Sequence, residues 1–328
     1  MLRGRRAGGD RDIHLFLLWP AALAELDRIL DDVAKSFRIH ELVSVEWTPA
    51  HFGENLERFY GRQLPPGVDK LAETGSGDFL VAVVSDPAPR YRRRARTAGR
   101  ERVNVHVFDA KQRYRAWTGG GHLVHATNDR AEAERDLFLL FGRSLGSVSQ
   151  FAGPGRPEVE RAAVDLVGAR GWSSFGELLT AMEHSGGYAH LNPGSSGPPL
   201  LLTYSEWARR ILKARPVDAG ASRCEVDVAG GLQPLDVWWV GDGRLPAAWQ
   251  LAILRDVSPV DGALTASPAD RFYVEVHRLL ALGRTPTPQE TALLERLAAA
   301  AAAPSGDYGD VGSLRRSLDA YLRRRRLA

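Results

Sequence analysis

The stretch that decides the fold is His122-Leu-Val-His125-Ala-Thr-Asn-Asp-Arg-Ala-Glu-Ala-Glu-Arg-Asp136-Leu137. Residues His122–Thr127 leave the glycine turn Gly119–Gly121 and read as a short strand, and Arg130–Phe141 as the acidic helix that follows. Residues three apart on a strand face opposite sides, which argues against a shared metal site for His122 and His125.

Working outward, Ile13–Trp19 is an apolar run that ends at Pro20 and reads as a buried strand. Leu23, Leu26, Ile29, Leu30 and Val33 then recur at helical spacing, and Ile39–Trp47 alternates as a second strand. Thr48-Pro49 reads as an N-cap followed by a first-turn proline, opening a helix that carries Phe52, Leu56, Phe59 and Tyr60. After Pro65-Pro66-Gly67 a short helix over Val68–Glu73 stops at Gly75, and Phe79–Val84 is a third strand. A basic loop follows, then an alternating strand over Val103–Phe108 and a helix at 109–117. This order predicts an α+β domain over residues 12–150, a ferredoxin-like antiparallel sheet covered by helices on one face, preceded by a disordered basic arm at 1–11.

The string Ala152–Pro157 reads as a domain boundary. Residues 158–328 predict a mostly helical second domain with a small sheet. Its helices fall near 158–169, 174–184, 245–255, 269–283, 287–303 and 311–325, its strands at Pro199–Thr203, Cys224–Val228 and Leu235–Val240.

The composition, 44% hydrophobic and 25% charged, is that of a soluble globular chain. No stretch approaches the roughly 18 consecutive apolar residues of a membrane span, and Ile13–Trp19 is too short for a signal-peptide core. A cytoplasmic protein is expected, with its basic tail Arg323–Arg326 allowing association with the inner face of the membrane. The single cysteine, Cys224, excludes an internal disulfide and a thiolate zinc cage. Residues 90–115 hold ten Arg and Lys side chains against Glu101 and Asp109 alone. Such segregation implies anionic partners, and the absence of a recognised nucleic-acid motif points away from DNA or RNA.

The histidine string, together with Phe37-Arg-Ile, the helix Thr48–Gly61, Pro66-Gly67-Val68 leading to Gly75, and the strand Phe79–Val84, resembles nucleoside diphosphate kinase over about residues 12–142. The resemblance implies that His125 occupies the phosphohistidine position, that Asp136 orients its other ring nitrogen, and that Arg113 lies near an arginine contacting nucleotide phosphates. The departures are equally specific. Trp19 stands where the family has a phosphate-binding lysine, His122 where it has asparagine, and Ala126-Thr127 where it has Gly-Ser. The missing lysine argues against the same kinase reaction. The first domain combined with Trp249–Leu254 and Asp270-Arg-Phe-Tyr-Val-Glu-Val-His277 is similar to bacterial glycan phosphoribosyltransferases of surface-polysaccharide clusters. That similarity implies a phosphoribosyl pyrophosphate donor, Mg2+ accompanying the pyrophosphate, a ribofuranose-containing O antigen or capsule as the glycan, lipid-linked or free, and a partner phosphatase.

Several residues could support such chemistry. Guanidinium forks match phosphate bidentately, which nominates Arg92, Arg94, Arg113 and Arg115 with Lys111, Asn104 and Thr127 as donor ligands. His125 braced by Asp136 suits a general base, a phosphate ligand or a phosphate carrier. In the second domain Asp236, Asp242 and Trp239 are the candidates for an acceptor sugar. Three functions stand open: the phosphoribosyltransferase, a phosphotransferase working through phospho-His125, and a non-catalytic nucleotide-binding module.

Overall fold

The computed structural model describes residues 12–60, 69–96, 99–151, 153, 155–185, 187–195, 197–218, 222–303 and 306–327. The apolar run becomes the central strand β1 (Asp12–Leu18), buried from Ile13 onward. The chain continues through α1 (Leu26–Ser36), β2 (Arg38–Glu46), α2 (Phe52–Tyr60), α3 (Lys70–Thr74) and β3 (Phe79–Asp86). A hairpin of β4 (Tyr91–Arg96) and β5 (Gly99–Asn104) leads into α4 (Val105–Trp117), then β6 (Val124–Ala126), α5 (Arg130–Phe141) and β7 (Val159–Ala163). The sheet order is β6-β1-β3-β2-β7, antiparallel except for the β2–β7 pair.

Helices cover both faces of this sheet, not one. Phe16, Leu18, Ala82 and Val84 share a core with Ile29 and Val33 of α1 and with Val107 and Tyr114 of α4. On the other face Trp19 meets Phe59, Trp47 meets Phe52, and His125 meets Asp136, so α2 and α5 lie there. A strand with no polar alternation needs cover on both sides.

Five further expectations are corrected. The basic segment is not a loop: Tyr91–Arg96 and Gly99–Asn104 pair in register, Arg94 opposite Glu101. Val103–Phe108 is not a strand, because the Asn104 side chain accepts from the His106 and Val107 amides and starts α4 there. Residues 158–169 do not form a helix; Val159–Ala163 pairs in parallel with β2, an edge that would otherwise present unpaired backbone. That strand carries the first compact unit on to Arg170, past the boundary expected at 152–157. Thr48 does not cap its helix; its amide and hydroxyl both donate to Asp165, each at 2.9 Å. The basic arm at 1–11 and the Pro65-Pro66-Gly67 turn lie outside the described residues.

The second unit, Gly171–Ala328, runs α6 (Phe175–His184), β8 (Tyr188–His190), β9 (Leu200–Thr203), α7 (Ala208–Ile211), β10 (Arg215–Pro216), β11 (Arg223–Val228) and β12 (Gly231–Trp239). It closes with α8 (Ala247–Arg255), β13 (Ser258–Val260), β14 (Ala263–Thr265), α9 (Pro268–Ala281), α10 (Pro288–Ala301) and α11 (Val311–Arg324). Its sheet is not small: seven strands are ordered β10-β11-β12-β9-β8-β14-β13. Strands of two or three residues are too short to show a period of their own. Trp249, Phe272, Leu294 and Leu318 join helices α8–α11 in one core. Among the described residues no helix is long and apolar enough to cross a membrane.

Candidate functional site

The site is assembled where β6 hands the chain to α5. Asp129 caps that helix by accepting from the Glu132 amide at 2.9 Å, which fixes the phase of the turns that follow. Glu132 and Asp136 are four residues apart and therefore share a face. His125 sits opposite Leu17 in the sheet and points at that face. Its Nε2 lies 2.9 Å from Asp136 Oδ2. A carboxylate can only accept, so Nε2 carries the hydrogen and Nδ1 keeps the lone pair.

Asp136 is fully buried, and its other oxygen accepts from Arg135 Nε at 2.8 Å and Nη2 at 2.5 Å. Phe59 and Tyr60 pack on the imidazole in T-shaped arrangements, with centroids at 5.3 and 5.7 Å. Burial lowers the His125 pKa, and the hydrogen bond and charge of Asp136 only partly oppose it. The imidazole is thus neutral near pH 7. Burial disfavours ionised Glu132, yet the charges of His125 when protonated, Arg135 and Lys111, with the Asn128 amide, hold its carboxyl at about 2.

Trp19, in the position where a lysine is expected, is fully buried beside this site. Its indole donates to the Tyr60 hydroxyl at 2.6 Å, and its ring packs on Phe59, Trp47 and Phe79. An aromatic plug therefore closes this side of the site.

The predicted phosphate ligands are mostly committed elsewhere. β6 is an edge strand, so the Val124 and Ala126 carbonyls point away from β1. Arg115 Nε donates to the first and Lys111 Nζ to the second, each at 2.9 Å, from positions one helical turn apart on α4. Lys111 also donates to Asn128 Oδ1 at 2.9 Å. Arg113 binds Asp32 of α1 through Nε and Nη2, on the face away from His125. Arg92 and Arg94 stand two residues apart on β4, Arg92 exposed and Arg94 partly so.

Asn104 and Thr127 belong to a separate buried network. Asn104 Nδ2 donates to Asp12 Oδ2 at 2.8 Å and to Asp86 Oδ2 at 2.9 Å. His14 Nε2 also reaches Asp12, His106 Nδ1 reaches Asp86, and the Tyr91 hydroxyl donates to Asp12 at 2.7 Å. Thr127 Oγ1 accepts from the Leu15 amide and meets His14 Nδ1, both at 3.1 Å. These bonds tie the hairpin and the start of α4 to the sheet.

In the second unit Asp236 lies 3.3 Å from Arg223. Asp242 closes a turn, accepting from the Trp239 and Arg244 amides and from Gln250 Nε2. Trp239 lies under the Arg209 guanidinium at 4.8 Å.

His125, Glu132 and Asp136 each offer one ligand atom within 4.8 Å of the others, with His125 Nε2 4.0 Å from Glu132 Oε1 and 2.9 Å from Asp136 Oδ2. Glu132 Oε1 is buried without a hydrogen bond among the described residues, its nearest cation, Arg135 Nη2, being 3.8 Å away. This set does not fit Mg2+, which demands an oxygen shell and retains waters, whereas here an imidazole and two guanidinium- and ammonium-balanced carboxylates converge. Glu132, Arg135 and Asn128 were not among the residues singled out from sequence. The 132/136 spacing on a helix following His125 is the signal that identifies Glu132; nothing in the sequence marks Arg135 as folding back on its own neighbour.

No protein-family model matches the chain, and no curated protein matches it.

Proposed function

We propose that the first unit activates a phosphorylated donor at His125, and that the chain is a glycan phosphoribosyltransferase. In this reading it moves 5-phosphoribosyl from phosphoribosyl pyrophosphate to a sugar hydroxyl of a bacterial surface polysaccharide. The observation that carries it is the buried, neutral His125 with Nε2–H held by Asp136. Such an imidazole offers Nδ1 as a base. The acceptor hydroxyl gives its proton to Nδ1, its oxygen bonds the anomeric carbon, and pyrophosphate leaves with the electron pair of the broken C–O bond. Arg92 and Arg94 are the donor's phosphate ligands in this scheme, since Lys111, Arg113 and Arg115 have structural partners. Mg2+ arrives on the pyrophosphate and is not held by the His125 cluster.

The antiparallel order β6-β1-β3-β2 supports a ferredoxin-like, nucleoside diphosphate kinase-like reading of the first unit, with the β4–β5 hairpin and β7 as additions. A cytoplasmic enzyme working on a lipid-linked glycan at the inner membrane face, followed by a phosphatase that removes the 5-phosphate, completes the proposal. A second reading is favoured by the same imidazole: a neutral Nδ1 also attacks phosphorus, which would make His125 a phosphate carrier.

Incubation with phosphoribosyl pyrophosphate, and separately with ATP, in the presence of glycan acceptors distinguishes them. Acceptor-dependent pyrophosphate release, abolished in His125→Ala and weakened in KM by Arg92→Ala with Arg94→Ala, supports the transferase. An acid-labile phosphoprotein formed from ATP and lost in His125→Ala supports the carrier instead. Neither product leaves a non-catalytic nucleotide-binding module.

A further inference from the structure

The second unit holds a cavity of about 600 Å³ against α9 and α11, a size typical of small-molecule sites. α11 is amphipathic: Leu314, Leu318 and Tyr321 are buried at helical spacing while Arg315, Arg316, Arg323 and Arg324 are exposed. Tyr273, Tyr308, Leu314 and Ala320 give the cavity an apolar lining. That lining is braced. Tyr273 stacks on Tyr321 with centroids at 4.0 Å and its hydroxyl meets Ser317 Oγ at 3.2 Å, while Tyr308 packs on Phe272 at 5.6 Å.

Arg316, Arg323 and Arg324 also line the cavity, against the single carboxylate of Asp307. Asp307 Oδ1 is engaged by the Gly309 amide at 2.9 Å. Arg316 donates to Ser313 Oγ at 2.9 Å, and Arg325 close by is paired with Asp256 at 2.5 Å. Arg323 and Arg324 are exposed and meet no carboxylate among the described residues. Two guanidiniums with no carboxylate partner among the described residues, beside an apolar cavity, define the chemistry of an occupant: a phosphate on the arginines, a hydrocarbon body on the tyrosines.

We propose that this cavity binds a phosphate monoester carried on an apolar chain. The proposal is independent of the chemistry at His125. The probe is monomeric lysophosphatidic acid, titrated calorimetrically into the full-length protein, with glycerol 3-phosphate (no chain) and lysophosphatidylcholine (no net charge) as comparators. Lysophosphatidic acid binds, and each comparator binds at least roughly tenfold more weakly. Arg323→Glu combined with Arg324→Glu abolishes binding by reversing the charge. Ala320→Trp abolishes it by filling the cavity, and the milder Ala320→Leu weakens it; circular dichroism verifies that each variant is folded. Absence of lysophosphatidic acid binding overturns the proposal. So does equal binding of either comparator, or undiminished binding in the folded charge-reversed or cavity-filled variants.

Discussion

His125 Nε2 and Asp136 Oδ2 lie 2.9 Å apart, and the same carboxylate holds the Arg135 guanidinium through two bonds. Asp136 therefore does two jobs, fixing the imidazole tautomer and neutralising a buried cation. Replacing it with alanine strips a buried guanidinium of its partner, which costs about 3–5 kcal/mol. Urea unfolding of Asp136→Ala measures this. A loss below about 1 kcal/mol would show that Arg135 finds water or Glu132 instead.

Burial lowers the pKa of His122, His125, His190 and His277 below the ordinary 6.5. The unfolded chain then binds more protons than the folded one in the window just below that value. Stability is fully present above pH 6.5 and falls as pH drops through it toward the folded values. His125→Gln removes one contributor, so its stability declines less steeply from pH 7 to 5 than that of the parent. Parallel decline of the two proteins in equilibrium unfolding would contradict a depressed His125.

Trp19 tests how tightly the interior beside His125 is sealed. Trp19→Lys buries an ammonium amid Trp47, Phe59 and Phe79 and removes the aromatic packing, at a cost of about 3–5 kcal/mol. Trp19→Phe leaves the Tyr60 hydroxyl without its donor and costs roughly 1–3 kcal/mol. Thermal denaturation should rank parent, Phe and Lys in that order. A Trp19→Lys protein as stable as the parent would mean the plug is open to water.

Asn104 links the N-terminus of α4 to Asp12 and Asp86. Asn104→Ala removes a helix cap worth about 1 kcal/mol and two hydrogen bonds to carboxylates, about 2–4 kcal/mol in all. Hydrogen exchange should rise first in the β4–β5 hairpin and the opening turn of α4. Faster exchange spread evenly over the sheet would contradict this local role.

Lys111→Met separates an edge-strand role from donor binding. It leaves the Ala126 carbonyl and Asn128 Oδ1 without their cationic donor and destabilises by about 1–3 kcal/mol. On the proposed function, KM for phosphoribosyl pyrophosphate should stay within a factor of about three, since Lys111 is spent on the backbone. A large rise in KM with unchanged stability would return Lys111 to the donor site.

Long apolar periods were legible: β1, α1, β2, β3, α5 and, in the second unit, α6 and α8–α11 fall where the sequence puts them, whereas the four-residue α7 was not anticipated. The short strands β6, β9 and β11 were anticipated as well, but β4, β5, β7, β8, β10, β13 and β14 were not. Val159–Ala163 has a helical composition and becomes a strand because β2 offers it an edge. At the site, the joining of His125 to Asp136 could be anticipated from their string, and the partners of the cations could not. Arg113 finds Asp32, 81 positions away in sequence, and Arg115 finds a carbonyl of the neighbouring strand.

By itself the sequence determined the α+β character, the strand-to-helix passage that carries His125 and Asp136, and the concentration of positive charge after Pro89. Those follow from local periodicity and composition, which act over a few residues. Only the tertiary structure decided which cations are spent on structure, that both faces of the sheet are covered, and that Trp19 fills the space beside His125. Each of these depends on which distant groups share a low-dielectric interior, where a charge or donor must find its partner or not be buried at all.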